Sequence, residues 1–201
     1  MTQRDLWNER YEQRGAVWGV GPNEFVADRL VGEKPCRVLD LGSGQGRNSI
    51  WLAQQGHQVT AVDISDVATA QGAEIAAEIG IEVNFVAADL ETWEPEAGTF
   101  DLVVLAYLQA PEAARRAVHA KAIRALAPDG RVVVVAHHRD NLEHGFGGPP
   151  MLEVLFDEDG IAGDFPGFEI IENNQVVRHV EKDGVSGDAL DLVFIARKPR
   201  S

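Results

Sequence analysis

Cysteine is nearly missing: Cys36 stands alone among 201 residues. No internal disulfide can form, so the expected setting is a reducing one, the cytoplasm. Preceding an apolar run, Cys36 reads as a small buried hydrophobe. Long hydrophobic runs are missing too, and none approaches the roughly 20 apolar residues of a membrane span. The opening MTQRDLWNERYEQRG is polar and charged, unlike a secretory signal. Basic residues are scarce, with 18 Lys and Arg against 32 Asp and Glu and a net charge of -14. A polyphosphate partner calls for a basic footprint, so nucleic acid is not the expected substrate. A small molecule, neutral or cationic, suits the balance better. No set of His, Cys and carboxylates has the tight spacing of a metal site, and no metal is expected.

The apolar residues fall in short β-branched runs separated by helical segments. RVLDLG (37–42), HQVTAVDIS (57–65), IEVNFVAAD (81–89), FDLVVLAYL (100–108) and RVVVVAHH (131–138) read as five strands. Between them, RNSIWLAQQG, residues 66–79 and PEAARRAVHAKAIRALAPDG read as helices with glycine or Pro-Asp-Gly stops. Such alternation predicts a parallel sheet covered on both faces. After residue 138 the pattern changes. DNLEHGFGGPP is a loop, MLEVLFDEDG a short amphipathic helix, and FEIIENNQVVRHVEK and DALDLVFIARK are strands about a turn at 183–187, an antiparallel hairpin. At the other end, residues 4–14 read as a helix with Trp7 and Tyr11 on one face, followed by a turn-rich lid and a helix from Asn23. The expectation is one α/β domain over 1–201. It divides into N-terminal helices and lid (1–35), a ligand-binding core (36–138), and a loop with the C-terminal hairpin (139–201).

The chemistry concentrates in VLDLGSGQGRN (38–48), where a strand runs into a glycine turn and then a helix. Glycines let backbone approach a ligand, and free N–H groups at a helix start suit an anionic group. A nicotinamide fingerprint would read G-x-G-x-x-G. Here Gly42, Gly44 and Gly46 give G-x-G-x-G, with Arg47 where spacing would allow the last glycine, and Asp40 precedes the loop. An aspartate there has little use beside a pyrophosphate but suits a ligand bearing ammonium and sulfonium charges. Asp63 and Asp89 close the next two strands, each followed by an apolar residue, Ile64 and Leu90. Asp63 is placed to accept from ribose hydroxyls and Asp89 from an adenine amino group, with Ile64 and Leu90 about the ring. Taken singly, each aspartate is an ordinary turn or cap former.

With these residues the chain resembles the class I S-adenosylmethionine (SAM)-dependent methyltransferases over about 36–136, and over the hairpin as well. The resemblance implies a Rossmann-like, seven-stranded, mostly parallel sheet with helices on both faces, and SAM as cofactor. It implies that Asp40, Gly42, Ser43 and Gly44 hold the methionine part, that Asp63 and Ile64 meet the ribose and adenine edge, and that Asp89 and Leu90 meet the adenine. Ala106 and Tyr107 would line the methyl-transfer face. Gly46-Arg47-Asn48, and Trp18 in the Trp-Gly-x-x-Pro-Asn lid, resemble the small tellurite-resistance and thiopurine-type branch. Arg47, Asn48 and Trp18 then join the cofactor set. The His-Arg pair of tellurite-resistance enzymes reads His179-Val180 here, and the Asn/Asp-Pro-Pro-aromatic motif of many N- and DNA-modifying members reads Ala106-Tyr107-Leu108-Gln109. Tyr107, His137 and His179 are the candidates for acceptor-side chemistry. The expected activity is methyl transfer to a small molecule. A SAM-binding regulator without turnover and a nicotinamide-dependent oxidoreductase are the alternatives.

Overall fold

The computed structural model describes residues 1–14, 21–182 and 184–200. In chain order it contains α1 (Gln3–Arg14), α2 (Glu24–Leu30), β1 (Arg37–Leu41), α3 (Arg47–Gln54), β2 (Gln58–Asp63), α4 (Asp66–Glu78), β3 (Asn84–Ala87), β4 (Phe100–Ala106), α5 (Glu112–Ala125), β5 (Leu126–His137), α6 (Asn141–His144), a single 3-10 turn (Leu152–Val154), α7 (Glu158–Asp164), β6 (Glu169–Lys182) and β7 (Val185–Arg197). The strands form a seven-stranded sheet in the order β3-β2-β1-β4-β5-β7-β6. Five strands are parallel, while β7 runs antiparallel to both β5 and β6. The order reverses direction at β1 and β4, which leaves a crevice at their carboxyl ends.

Period-two alternation distributes the core between the two faces. Leu39, Leu41, Val103, Leu105, Val132 and Val134 point to one side, where Ala122, Ala125, Ile161 and Phe165 bring α5 and α7 onto the sheet. Their neighbours Val38, Leu102, Val104, Val133 and Val135 point to the other, where Phe25, Val26, Leu30 and Leu52 bring α2 and α3. β1 is buried from Val38 to Leu41, as a central parallel strand must be. Among the described residues no helix is long and apolar enough to cross a membrane.

Several expected boundaries move, for identifiable reasons. The helix between β4 and β5 stops at Ala125 rather than running to the Pro-Asp-Gly stop. Pro128 disfavours helical backbone at Ala127, and the chain is already extended one residue earlier, at Leu126, which pairs with Phe100 and opens β5. Pairing with β4 breaks after Leu126 and resumes at Arg131. β3 spans Asn84–Ala87 only, leaving Asp89 in the following turn. MLEVLFDEDG is not one helix. It breaks at Phe156, whose backbone bonds to His137 and Arg139, and Asp157 then caps α7 by accepting from the Gly160 N–H at 2.7 Å. The hairpin turn is tighter than 183–187, because β7 already begins at Val185.

Candidate active site

The glycine turn is held against the next strand. Gly42 and Ser43 both donate to the Val62 carbonyl, at 2.8 and 3.1 Å, and Gly46 donates back to Ser43 at 3.0 Å. Gly42, Gly44 and Gly46 have φ of 72°, 56° and 75°, the left-handed region that favours glycine. A Cβ on Gly42 would lie 2.8 Å from Leu108 Cδ1, and one on Gly44 2.5 Å from the Tyr11 hydroxyl. The turn is thus closed in by the loop after β4 and by α1. Asn8 secures α1 there, donating to Asp66 and accepting from Ser65 at 2.7 Å each. The Ser43 hydroxyl is buried with no hydrogen-bond partner among the described residues.

The three strand-end aspartates have different surroundings. Asp40 is 1% exposed and accepts from the Ser49 hydroxyl at 2.6 Å. Burial pushes its carboxyl up to about 6; Ser49 opposes the rise, nearby Asp63 adds to it, and Arg47 draws it down. Asp63 accepts from Gly44 N–H at 2.8 Å and Ser65 N–H at 2.9 Å, coupling β2 to the glycine turn. Burial raises its carboxyl too, against the pull of those amides. The Ile64 amide adds to that pull, and of the roughly four acceptor positions of a carboxylate some capacity remains for hydroxyl donors. Asp89 accepts from Glu91 N–H at 2.9 Å and shapes a turn. Ile64 is half-buried after β2, whereas Leu90 packs in the core with Val62.

Arg47 opens α3, and burial lowers its guanidinium pKa, with Tyr107, Arg178, Asp40 and Tyr11 as its electrostatic neighbours. Asn48, buried, accepts from the backbone N–H of Asn23 at 2.8 Å. Asn23 caps α2 and reaches the Tyr107 hydroxyl through its amide nitrogen at 3.4 Å. Trp18 lies outside the described residues.

Beyond β4 the structure gathers a cluster that the sequence only half discloses. Ala106 closes the strand, and Tyr107 then turns with φ of 57°, an unusual conformation for a bulky side chain. Its hydroxyl donates to Asp191 at 2.6 Å. Asp191 lies on β7 with its side chain fully buried, and also receives Arg178 Nε at 2.6 Å and His137 Nδ1 at 2.8 Å. Burial alone would raise the Asp191 carboxyl, but hydrogen bonds from His137, Arg178 and Tyr107 hold it below the usual carboxylate range. Tyr107 moves the opposite way: burial, and then the Asp191 charge, raise its phenol far above its ordinary value. Tyr107 therefore stays protonated and spends its proton on Asp191. The His137 ring lies 4.9 Å from that of Tyr107, centroid to centroid. On the same ring, a Cβ at Gly148 would come within 3.3 Å of Cγ.

His179 is not brought to this cluster. Its side chain is 73% exposed and pairs with Asp188 at 3.0 Å. Alternation along β6 explains this, because Arg178, one residue earlier, takes the inward register. Arg178, Asp191 and Asn23 are the residues that sequence reasoning missed. The available signal was Asp191 itself, a carboxylate inside the apolar run Leu190–Ala196, since a buried charge requires partners.

The methyltransferase domain family matches residues 38–130. TehB of Haemophilus influenzae, a probable SAM-dependent methyltransferase, is 53% identical over 38 residues, 19% of this chain and 13% of that protein. A TehB crystal structure superposes with a TM-score of 0.73 at 20% identity, covering 96% of this chain and 67% of that one. The Burkholderia thailandensis 1,6-didemethyltoxoflavin-N1-methyltransferase, solved with its substrate and S-adenosylhomocysteine, gives 0.69 at 25% identity and covers 97% and 86%. A structure described under conversion of a disulfide bond into a thioacetal group in echinomycin biosynthesis gives 0.80 at 17% identity, covering 100% and 94%. Against three of the curated relatives that it matches, the chain spans 21%, 55% and 40% of their length.

Proposed function

We propose that the chain is a class I SAM-dependent methyltransferase that transfers the methyl group of SAM to a small-molecule acceptor bound beside Tyr107 and His137. The observation that carries this reading is the glycine turn. It sits at the carboxyl end of β1, with a buried, unpartnered Ser43 hydroxyl and the Asp63 carboxylate hydrogen-bonded to its middle amide. That donor set fits SAM. Asp40 and the turn at Gly42–Gly44 take the methionine ammonium and carboxylate, with Arg47 and Asn48 behind them at the start of α3. Asp63 takes the ribose hydroxyls, Ile64 lies at the adenine edge and Asp89 beside the adenine. Leu90 supports the floor from the core. When bound, SAM supplies an activated methyl on a sulfonium, so the protein aligns the acceptor and excludes water.

Ala106 and Tyr107 line the transfer face, next to β1 in the sheet. The small acceptor is supported by the closed setting of this end, where the loop after β5 packs over His137 at Gly148. It is supported as well by the similar Burkholderia enzyme, which is named for methylating 1,6-didemethyltoxoflavin. The net charge of -14 disfavours a polyphosphate acceptor.

Calorimetric titration with S-adenosylhomocysteine, with NADH as control, tests the cofactor assignment. Micromolar binding of the first and none of the second is expected, and the reverse would return the chain to the oxidoreductase reading. Labelled SAM mixed with cell extract then separates an enzyme from a regulator. A labelled small product is expected, and its absence despite tight binding would favour the regulator.

A further inference from the structure

The proposed reading leaves the chemistry of the acceptor open. A soft, already anionic sulfur, selenium or tellurium nucleophile attacks a sulfonium methyl without help, whereas a hydroxyl or a neutral acidic N–H needs a group to take its proton. The buried cluster at the end of β5 and the middle of β7 is built like such a group.

We infer that the acceptor is protic, an O–H or acidic N–H compound, and that His137 is its general base, oriented by Asp191. This rests on the methyl-transfer reading above. Four features of the cluster lead there. First, Asp191 takes His137 at Nδ1, which places the ring proton on that nitrogen and the lone pair on Nε2. Second, the ring is fixed in direction, between Tyr107 and the backbone of Gly148. Third, Asp191 is kept ionised by two further donors, Arg178 and Tyr107, so it can stabilise an imidazolium without taking the proton itself. Fourth, the charges balance. Arg178 and Asp191 cancel, and a positive charge arriving on His137 replaces the one lost at sulfur. A pre-formed anionic nucleophile would neutralise the sulfonium and leave this dyad with nothing to do.

Atom by atom, the acceptor proton moves to His137 Nε2 as the acceptor lone pair forms the new bond to the methyl carbon. The carbon–sulfur pair stays on sulfur, giving neutral S-adenosylhomocysteine. His137 later returns its proton to water. Asp191 touches neither reactant and is a positioning residue.

Two readouts test this. Nitrogen-15 NMR of the histidine rings, with His137 assigned by loss of its signals in His137→Gln, reports the tautomer directly. The expected result is a proton on Nδ1 in the wild type, with that preference lost in Asp191→Asn. A proton on Nε2 in the wild type would overturn the proposal. In the second readout, labelled SAM is offered with catechol or with thiophenol. His137→Gln should lower transfer to catechol by at least about 10²-fold and transfer to thiophenol by less than tenfold. Equal losses on both probes, or a wild type that methylates thiophenol alone, would overturn it. Where neither probe is turned over, the tautomer decides. Failure of S-adenosylhomocysteine to bind would instead sink the parent reading, and the tautomer would still be measurable.

Discussion

The Tyr107 hydroxyl, just past the fourth strand, donates to the Asp191 carboxylate on the seventh at 2.6 Å, and so joins the first half of the sheet's chemistry to the second. Altering either residue takes a short buried hydrogen bond from the other.

Asp191→Ala should therefore lower stability by about 3–5 kcal/mol, the cost of removing one partner from a buried ion pair. Asp191→Asn, which keeps the shape and an acceptor oxygen, should cost clearly less. Urea denaturation of the three proteins gives the comparison. Equal midpoints for Asp191→Ala and wild type would mean that the cluster is not buried as described.

Asp63→Ala should weaken S-adenosylhomocysteine binding by roughly 10- to 100-fold, from loss of about 1.5–3 kcal/mol of charge-assisted hydrogen bonding. Calorimetry is the measurement. Unchanged affinity would remove Asp63 from the cofactor site.

Asp40 gives a pH signature. Its carboxyl moves from 3.8 unfolded to about 6 folded, so between these values the native state binds more protons than the unfolded state. Stability of the ligand-free protein then falls as pH rises from about 4 through about 6. Asp40→Asn should remove that loss, leaving the variant more stable at pH 7.5 by up to about 3 kcal/mol, and level with wild type near pH 4. Denaturation midpoints at the two pH values check it. A variant less stable at both would refute the burial argument.

Asp164 behaves in the opposite sense. On α7, with its side chain fully buried, it binds Arg115, Arg116 and His119 of α5 at 2.9, 3.1 and 2.9 Å. Burial alone would raise its carboxyl, but His119 and Arg115 hold it below its ordinary value. Its contribution is complete above the unfolded carboxylate value and is lost as pH falls through the folded one. Asp164→Asn should destabilise by about 3 kcal/mol at pH 7, with the deficit shrinking in strong acid. A deficit independent of pH would mean that packing, not charge, joins α5 to α7.

Much of the fold was legible because it rests on period. Runs such as FDLVVLAYL and RVVVVAHH, short, β-branched and bounded by turn residues, read as central strands, and the glycine turn announces its own φ values. Less legible were features fixed by distant partners. Nothing near Leu126 says that β5 starts there, until the proline two residues on and the pairing with Phe100 are considered together. The aspartate set was legible as spacing. Asp89 shows the limit, since its turn-forming bond to Glu91 is the ordinary use of that residue. On the acceptor side, His137 was visible at a strand end. His179 drew notice for its residue type while Arg178 held the useful register, because facing direction within a hairpin depends on pairing. Val176 opposite Asp191 sets Arg178 one pleat away on the same face.

The placement of β7 between β5 and β6 has a consequence for how the protein comes into being. The edge of β5 from Val132 to Ala136 is wholly apolar, and it stays uncovered until a segment more than fifty residues further along has been made and inserted beside it. Pairing across that separation is slow relative to local contacts, and an open hydrophobic edge invites other chains. The same insertion delivers Asp191 to His137. A growing chain that has reached β6 thus holds the cofactor turn complete while its acceptor side has no buried carboxylate. Competence for chemistry and protection from aggregation arrive in one event, the closing of the sheet.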